Sequence, residues 1–448
     1  LWGIPVQSVG RRRTSEGAHE AQVGFLYNHD MAEVADEVVV VGGGAVGLAA
    51  ALALLRAGRP VVVLERATPG GATSHGNCGT ITPSHATPLA MPGMVRKGLA
   101  QLLRADAPFR IAPRLDPALF HWLLRFAALC NWDDFRRLTR AKAPLLVRSR
   151  ELLEALVRDE GIDCGFESLG TLYAYRDARE FEASQWLPRA LDDVGIPIRS
   201  LDGDAARALE PALNGSIVAA FHNPVDAHLR PDRYVAGLAR RVRELGGRIV
   251  EGCTVDGFET AGGRVVAARS GSARHAGREF VFALGAWSPA VGRTLGLRLP
   301  IQPGKGYSIT YTRPTRAPRV PVVCKERSVC VTAWADGYRL GSTMEFAGYD
   351  RSLNRVRLDA LVRGARDYLH EPEGPARVEE WFGWRPMTWD DLPIVGRAAR
   401  WSNLVLATGH GMLGITMSAA TAELVRDQVT GAPPVLDPAP WSPARFGC

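Results

Sequence analysis

The sequence predicts an α/β chain in which a parallel βαβ unit is interleaved with an antiparallel β-rich layer. Three observations carry this. Residues 37–41 read EVVVV, a β-branched run of the kind buried on both faces of a parallel sheet. A cluster of glycines follows, and then an Ala- and Leu-rich stretch with helical character. Further along, apolar and polar residues alternate over 168–175, 215–222 and 303–342, the signature of half-buried antiparallel strands.

The elements follow in order. Ala45 to Ala57 reads as a helix closed by Gly58, and Val61 to Leu64 is the second buried strand, ending at Glu65. Residues 144–160 predict a helix opened by Pro144, with Leu145, Leu146, Leu152, Leu153, Leu156 and Val157 on one face and Gly161 behind it. Asp232 to Leu245 predicts another, stopped by Gly246 and Gly247, with a strand starting at Arg248. Phe280 to Leu284 is a further buried strand, and Ala335-Asp336-Gly337 marks a hairpin. The last helical run ends at Gly431.

Composition bounds the function classes. The 448 residues carry 54 basic and 47 acidic side chains, a net +7, with 46% hydrophobic and 23% charged residues, which excludes a disordered or fibrous chain. The positive charge forms no stripe, so nucleic-acid binding is not expected. Seven dispersed cysteines without a CxxC predict a reduced, cytoplasmic chain with no disulfide framework and no metal site. Val38 to Leu55 is uncharged and 18 residues long, but four glycines cut it, so it reads as strand–turn–helix rather than a membrane span. Residues 1–35 read as an extension or tail: Arg11-Arg12-Arg13 has no apolar segment after it to make an export signal.

Gly42-Gly43-Gly44-Ala45-Val46-Gly47 is a GxGxxG with a strand before it, a helix after it and Glu65 eighteen residues on. Gly42 allows the tight turn, Gly44 lets backbone approach a pyrophosphate, and Gly47 lets helix and strand pack closely. The N–H groups of the helix start face the phosphates, and Glu65 accepts from ribose hydroxyls. This is the Rossmann dinucleotide signature. The small-residue loop Gly70–Gly79 suits backbone lying against a flat ring. Gly409-His410-Gly411-Met412-Leu413-Gly414-Ile415-Thr416 feeds a helix whose positive end would stabilise charge on a reduced flavin pyrimidine. A nicotinamide enzyme has no need of that loop, so the cofactor expected is FAD.

With these residues on the page the chain, over about 36–431, resembles the FAD-dependent amine and amino-acid oxidoreductases of the D-amino-acid oxidase type, and within them the D-amino-acid dehydrogenase branch. The resemblance rests on Thr73-Ser74 with Asn77 and Gly79, Pro83, Ala86-Thr87-Pro88 and Pro92-Gly93. It rests further on Lys305-Gly306-Tyr307-Ser308, Trp384-Arg385-Pro386-Met387-Thr388 with Asp390, Leu392-Pro393-Ile394, Gly396, and Thr408-Gly409-His410-Gly411. His75-Gly76, Trp389, Asp391 and Ile415 depart from the branch pattern, which leaves the substrate side chain open, cyclic imino acids such as D-proline or cis-4-hydroxy-D-proline included.

The resemblance implies a D-amino-acid oxidase-like fold of two discontinuous domains. The FAD-binding domain is expected over 36–83, 143–165, 227–287 and 379–431, the substrate domain over 84–142, 166–226 and 288–378, with a tail at 432–448. The expected cofactor residues are Gly42, Gly44, Ala45, Val46, Gly47, Glu65, Arg66, Thr73, Ser74, His75, Asn77, Cys78 and Gly79. Val255, Ala283, Leu284, Gly285, Trp287, Gly409, Gly411, Met412, Leu413, Gly414 and Thr416 complete that set. Arg385 offers a planar cationic fork for a substrate carboxylate, the competing reading being an ion pair with Asp390 or Asp391. Tyr307 is expected to cover the substrate or donate to its carboxylate. His410 is a flavin contact or a local hydrogen-bonding residue, His75 a flavin contact and His85 an ordinary residue. The activity implied is dehydrogenation of D-amino acids with a quinone or respiratory-chain acceptor and peripheral contact with the inner membrane. A glycine or sarcosine oxidase and an FAD-binding subunit of a heteromeric dehydrogenase are the alternatives.

Overall fold

The computed structural model describes residues 36–102 and 107–448, so the expected extension at 1–35 lies outside the described residues. The first sheet has six strands in the order Ile394–Arg397, Leu404–Thr408, Glu279–Phe282, Val38–Val41, Val61–Leu64, Arg248–Val250. All neighbours are parallel except Ile394–Arg397, which pairs antiparallel with Leu404–Thr408. The valine run works on both faces. Val38 and Val40 pack under helices Ala45–Arg56, Pro231–Glu244 and Ser418–Thr430. Val39 and Val41 face the opposite way, toward Phe258 and Val265 of a three-stranded antiparallel sheet.

The second sheet has nine strands. Eight run in the order Arg377–Thr388, Ile301–Tyr311, Gly337–Phe346, Val329–Trp334, Val322–Cys324, Thr171–Tyr175, Ala219–Asn223, Arg199–Asp202, and Phe109–Ile111 joins at Gly337–Phe346. It is antiparallel at every pairing except Val322–Cys324 with Thr171–Tyr175 and Phe109–Ile111 with Gly337–Phe346. The hairpin at Ala335-Asp336 closes on the pair Trp334 and Gly337. Alternation gives this sheet two faces. Tyr307, Ile309, Val331 and Leu340 pack with Leu358 and Leu361 of helix Arg355–Arg366. Gly306, Cys330 and Ser342 of the same strands border the cavity described below.

One helix starts earlier than expected, and two segments are placed by their pairing. The helix at 144–160 begins at Trp132, with Asn131 accepting from the Asp133 and Asp134 N–H groups. Pro144 lies inside it on the exposed side, while Phe135, Leu138, Leu145 and Leu146 are buried. The packing of that apolar face outweighs the lost hydrogen bond, which costs about 3 kcal/mol. Residues 379–388, assigned to the cofactor domain, belong to the large sheet, because Arg377–Thr388 pairs along its length with Ile301–Tyr311. The tail at 432–448 is docked: Trp441 is buried with its Nε1–H donating to the Ala141 carbonyl, and Arg445 pairs with Asp390. Among the described residues no helix is long and apolar enough to cross a membrane.

Candidate active site

The two sheets meet around a cavity of about 1340 Å³, larger than the roughly 300–1,000 Å³ of a drug-sized ligand site. At one end the GxGxxG turn is built as its residue types require. Gly42 has φ +112°, and a Cβ there would collide with the Ala283 carbonyl; one at Gly47 would collide with the carbonyl of Gly42. Helix Ala45–Arg56 starts at Gly44 with no side-chain cap of its own, and Ser74 Oγ accepts from the Ala45 N–H at 3.2 Å. Glu65 is held by the N–H groups of Gly43 (to Oε2, 2.7 Å) and Ala67 (to Oε1, 3.1 Å). The guanidinium of Arg66 lies 3.6 Å from the centre of the Trp287 ring. Val255, Ala283, Leu284 and Gly285 complete this end.

At the other end the large sheet carries Arg385. Its side chain crosses Gly306, where a Cβ would fall on the guanidinium, and donates to the carbonyls of Thr343 (2.5 Å) and Ser342 (3.5 Å). The competing ion pair does not form. Asp390 takes Arg445 Nε at 2.9 Å, and Asp391 takes Lys142 Nζ at 2.6 Å. Among the described residues Arg385 therefore has no carboxylate partner and donates only to these carbonyls and, weakly, to the Met344 sulfur.

The loop Gly70–Gly79 is tied to this wall. Thr73 Oγ1 donates to the Trp384 carbonyl at 2.8 Å, and Arg339 Nη1 donates to the carbonyls of His75 (2.9 Å) and Asn77 (2.7 Å). Thr73, Ser74, Asn77 and Cys78 border the cavity, as do Gly42, Gly44, Ala45, Val46, Gly47, Glu65, Arg66, Gly411, Met412, Leu413 and Gly414.

Other expected residues lie elsewhere. His75 does not border the cavity; its Nε2 meets Glu379 Oε1 at 2.8 Å, a contact that raises its pKa. Gly79, with its N–H on Asn77 Oδ1, and Thr416, bonded to Thr80 and Thr82, do not border the cavity. Gly409, at φ +74°, packs against Thr388 and Ile394. Tyr307 borders the cavity, but its hydroxyl donates to Glu345 Oε2 at 2.6 Å and its ring packs in the core beneath the sheet. His410 borders the cavity; its Nε2 meets Thr421 Oγ1 at 3.0 Å, and burial pushes its pKa down to about 3.

Two residues gain importance. His85, expected to be ordinary, borders the cavity beside the Tyr173 hydroxyl, and burial, with Lys142 and Lys325 nearby, pushes its pKa down to about 3. Lys325 borders the same wall as Arg385. Its only sequence signal is a lysine directly after the buried run Val322–Cys324.

The chemistry of the walls fits FAD. Two glycines leave backbone open to a pyrophosphate, a held carboxylate stands where ribose hydroxyls belong, and a second helix, Ser418–Thr430, starts without a side-chain cap behind the Met412–Gly414 loop. The comparisons agree. A D-amino acid dehydrogenase of Methylobacterium nodulans is 35% identical over 91% of this chain and 99% of its own length. That of Chromohalobacter salexigens is 34% identical over 92% and 99%. Glycine oxidase from Geobacillus kaustophilus superposes with a TM-score of 0.75 at 23% identity, covering 90% of this chain and 97% of its own. L-proline dehydrogenase from P. horikoshii does so at 0.71 and 20%, covering 92% and 98%. Residues 37–428 match the family model for FAD dependent oxidoreductases, DAO, and with the dinucleotide turn, the held Glu65 and the Arg385 wall in one cavity, the chain belongs to that family.

Proposed function

We propose that the protein is an FAD-dependent dehydrogenase of D-amino acids. The observation that carries the reading is Arg385, a half-buried cation bordering the cavity, while Asp390 and Asp391 are taken by Arg445 and Lys142. A substrate α-carboxylate would satisfy it bidentately and fix Cα in the cavity. The D configuration rests on the names of the curated relatives.

Bound FAD supplies the two-electron acceptor for the Cα–H bond. The residues expected to hold it are Gly42, Gly44, Glu65, Ser74 and the Met412–Gly414 loop. Arg385 orients the substrate, and the apolar wall of Trp122, Phe346 and Met387 helps to keep water from it. Burial makes His410 and His85 weak bases, with pKa values pushed down to about 3, so the substrate amine is expected to bind already as the free base. The imino acid formed hydrolyses to a 2-oxo acid and ammonia, whereas a cyclic imine persists.

For the acceptor we propose a quinone reached from a membrane surface. Helix Met94–Leu102 has no buried residue; Val95 and Leu99 stand exposed at the cavity mouth with Phe120 and Leu124, beside Arg96, Lys97 and Arg125. Apolar side chains ringed by cations suit an anionic bilayer surface. Co-sedimentation with anionic liposomes, lost on Leu99→Glu, is the expected result.

An anaerobic visible spectrum titrated with D-alanine, D-proline, cis-4-hydroxy-D-proline, their L-forms, glycine and sarcosine tests the activity. Bleaching by D-forms alone sustains the proposal. Bleaching by glycine or sarcosine with oxygen uptake would replace it with an oxidase, and a flavin that nothing bleaches would make the chain a partner-dependent subunit.

A further inference from the structure

Two thiols meet on the cavity wall. Ser308, Gly341 and Cys330 stand in one row across strands Ile301–Tyr311, Gly337–Phe346 and Val329–Trp334, each paired with its neighbour. Directly paired residues project to the same face, with Cβ positions about 4.5–5.5 Å apart. Gly341 has no side chain, and Cys78 fills the space: a Cβ at Gly341 would fall on the Cys78 sulfur. Cys78 therefore lies beside Cys330, and the two side chains are hydrogen-bonded. Both border the cavity and are half-buried, whereas Cys164, Cys253, Cys324 and Cys448 are buried.

The pair is asymmetric. Cys330 keeps its proton and donates it to the Cys78 sulfur, which holds the Cys78 pKa below the usual thiol value and the Cys330 pKa well above it. Burial opposes the shift of Cys78, and Arg339 and Arg385 reinforce it. The thiolate is the nucleophilic form of a cysteine, so Cys78 is the sulfur that attacks. Burial pushes Cys164 up to about 12 and raises Cys130, Cys324 and Cys448 as well. Cys78 also lies in the loop ahead of strand Thr80–Ile81, while Cys330 is held within a strand. Closing the sulfurs to the roughly 2.05 Å of a disulfide therefore moves loop rather than sheet.

We infer that Cys78 and Cys330 form a peroxide-sensitive dithiol, a modification site on the cavity wall that closes to a disulfide. The Cys78 thiolate attacks one oxygen of hydrogen peroxide and breaks the O–O bond. The hydroxide released takes a proton and leaves as water, and Cys78 becomes a sulfenic acid. Cys330 then gives up its proton and attacks the Cys78 sulfur, expelling a second water. Two thiols and one peroxide thus become one disulfide and two waters, with the sulfurs losing two electrons and the peroxide gaining them. The bridge ties the loop that carries Thr73 and Ser74 to the large sheet, one residue from Ser342, whose carbonyl accepts from Arg385. The site stands apart from the substrate and activity proposed above.

The test is peptide mass mapping of the FAD-loaded protein, first reduced, then freed of reductant and exposed to a few equivalents of hydrogen peroxide. Two of the seven thiols should be lost, with the Cys78 and Cys330 peptides joined and two hydrogens lighter than their sum. Dithiothreitol should reverse both changes. Cys78 should react at least about tenfold faster than Cys164 or Cys324, whose raised pKa values keep them as thiols. Cys330→Ser should stop at a sulfenic acid on Cys78, trapped by dimedone, and Cys78→Ser should leave Cys330 as a thiol at the same dose. Cys253→Ser, which removes a cavity thiol beside His275, should cross-link as the wild type does. Retained flavin absorbance shows that each variant is folded. No Cys78–Cys330 linkage in the wild type, a linkage between other cysteines, or a sulfenic acid on Cys330 in place of Cys78 overturns the inference. The flavin-bleaching panel decides separately: linkage without bleaching by any amino acid keeps the dithiol site and removes the dehydrogenase, and bleaching without linkage does the reverse.

Discussion

Asp391 and Lys142, 249 residues apart in sequence, meet at 2.6 Å as a buried ion pair, and that pairing helps to leave Arg385 without a carboxylate. Lys142 is 2% exposed and Asp391 8%, so neither charge has water to fall back on. Asp391 also sits at φ +57°, which Asn tolerates. Asp391→Asn should therefore isolate the Lys142 charge and cost about 3–5 kcal/mol, read from the urea midpoint. Adding Lys142→Met should recover most of the loss. A double variant as unstable as the single would show that the pair is not what matters.

Arg385→Met should lower kcat/KM by about 10²–10³-fold, the loss of two charge-assisted hydrogen bonds to the substrate. Arg385→Lys should rescue little of it, because an ammonium cannot hold a carboxylate through a planar fork. Flavin content should be unchanged in both, since the expected dinucleotide contacts lie at the other end of the cavity. Full activity in Arg385→Lys would argue for a point charge rather than a clamp.

Tyr307→Phe separates the two readings of that tyrosine. The hydroxyl donates to Glu345 at 2.6 Å, and Glu345 also meets Arg110 at 3.2 Å. Removing it should cost about 1.5–3 kcal/mol of stability and change kcat/KM by less than about threefold. A KM rise of tenfold or more, with stability intact, would return Tyr307 to the substrate.

The legible parts of the molecule were those whose reasons are local. The valine run and its glycines specify a buried strand and a turn that admits no Cβ, and the structure builds both at Gly42 and Gly47. Arg385 was legible because its motif is contiguous. Which of Asp390 and Asp391 would compete for it was not, since their partners Arg445 and Lys142 arrive from distant segments. His75 reads as a ring contact because small residues surround it, yet its imidazole turns away to Glu379, and Gly76 is the residue packed against Trp381. Tyr307 shows what a contiguous motif leaves out: it borders the cavity, but its ring packs in the core with Leu358 and Leu361 and its hydroxyl donates to Glu345, which lies on another strand. Lys325 and His85 reach the cavity only through pairing across strands and between segments, which no window of sequence contains.

The acid side of the stability profile depends on buried neutral histidines. His410 titrates near pH 3 in the folded protein because burial disfavours its charged form, against about 6.5 when unfolded. Its folded-state pKa is depressed, so between those values the unfolded chain binds a proton that the native state refuses. Its contribution is intact above about pH 6.5 and is lost as pH falls toward 3, at up to about 1.4 kcal/mol per pH unit. Asp226 works the other way. Burial raises it to about 6, so the native state binds the extra proton between about 4 and 6 and gains stability on acidification there. Comparing variant with wild type cancels that term. His410→Gln keeps a polar group for Thr421 and cannot titrate, so its stability should fall less steeply than wild type from pH 6.5 to 5, by up to one proton in the slope of unfolding free energy against pH. Parallel profiles would mean that His410 gains its proton within the native state, returning it to the residues able to exchange one with the substrate.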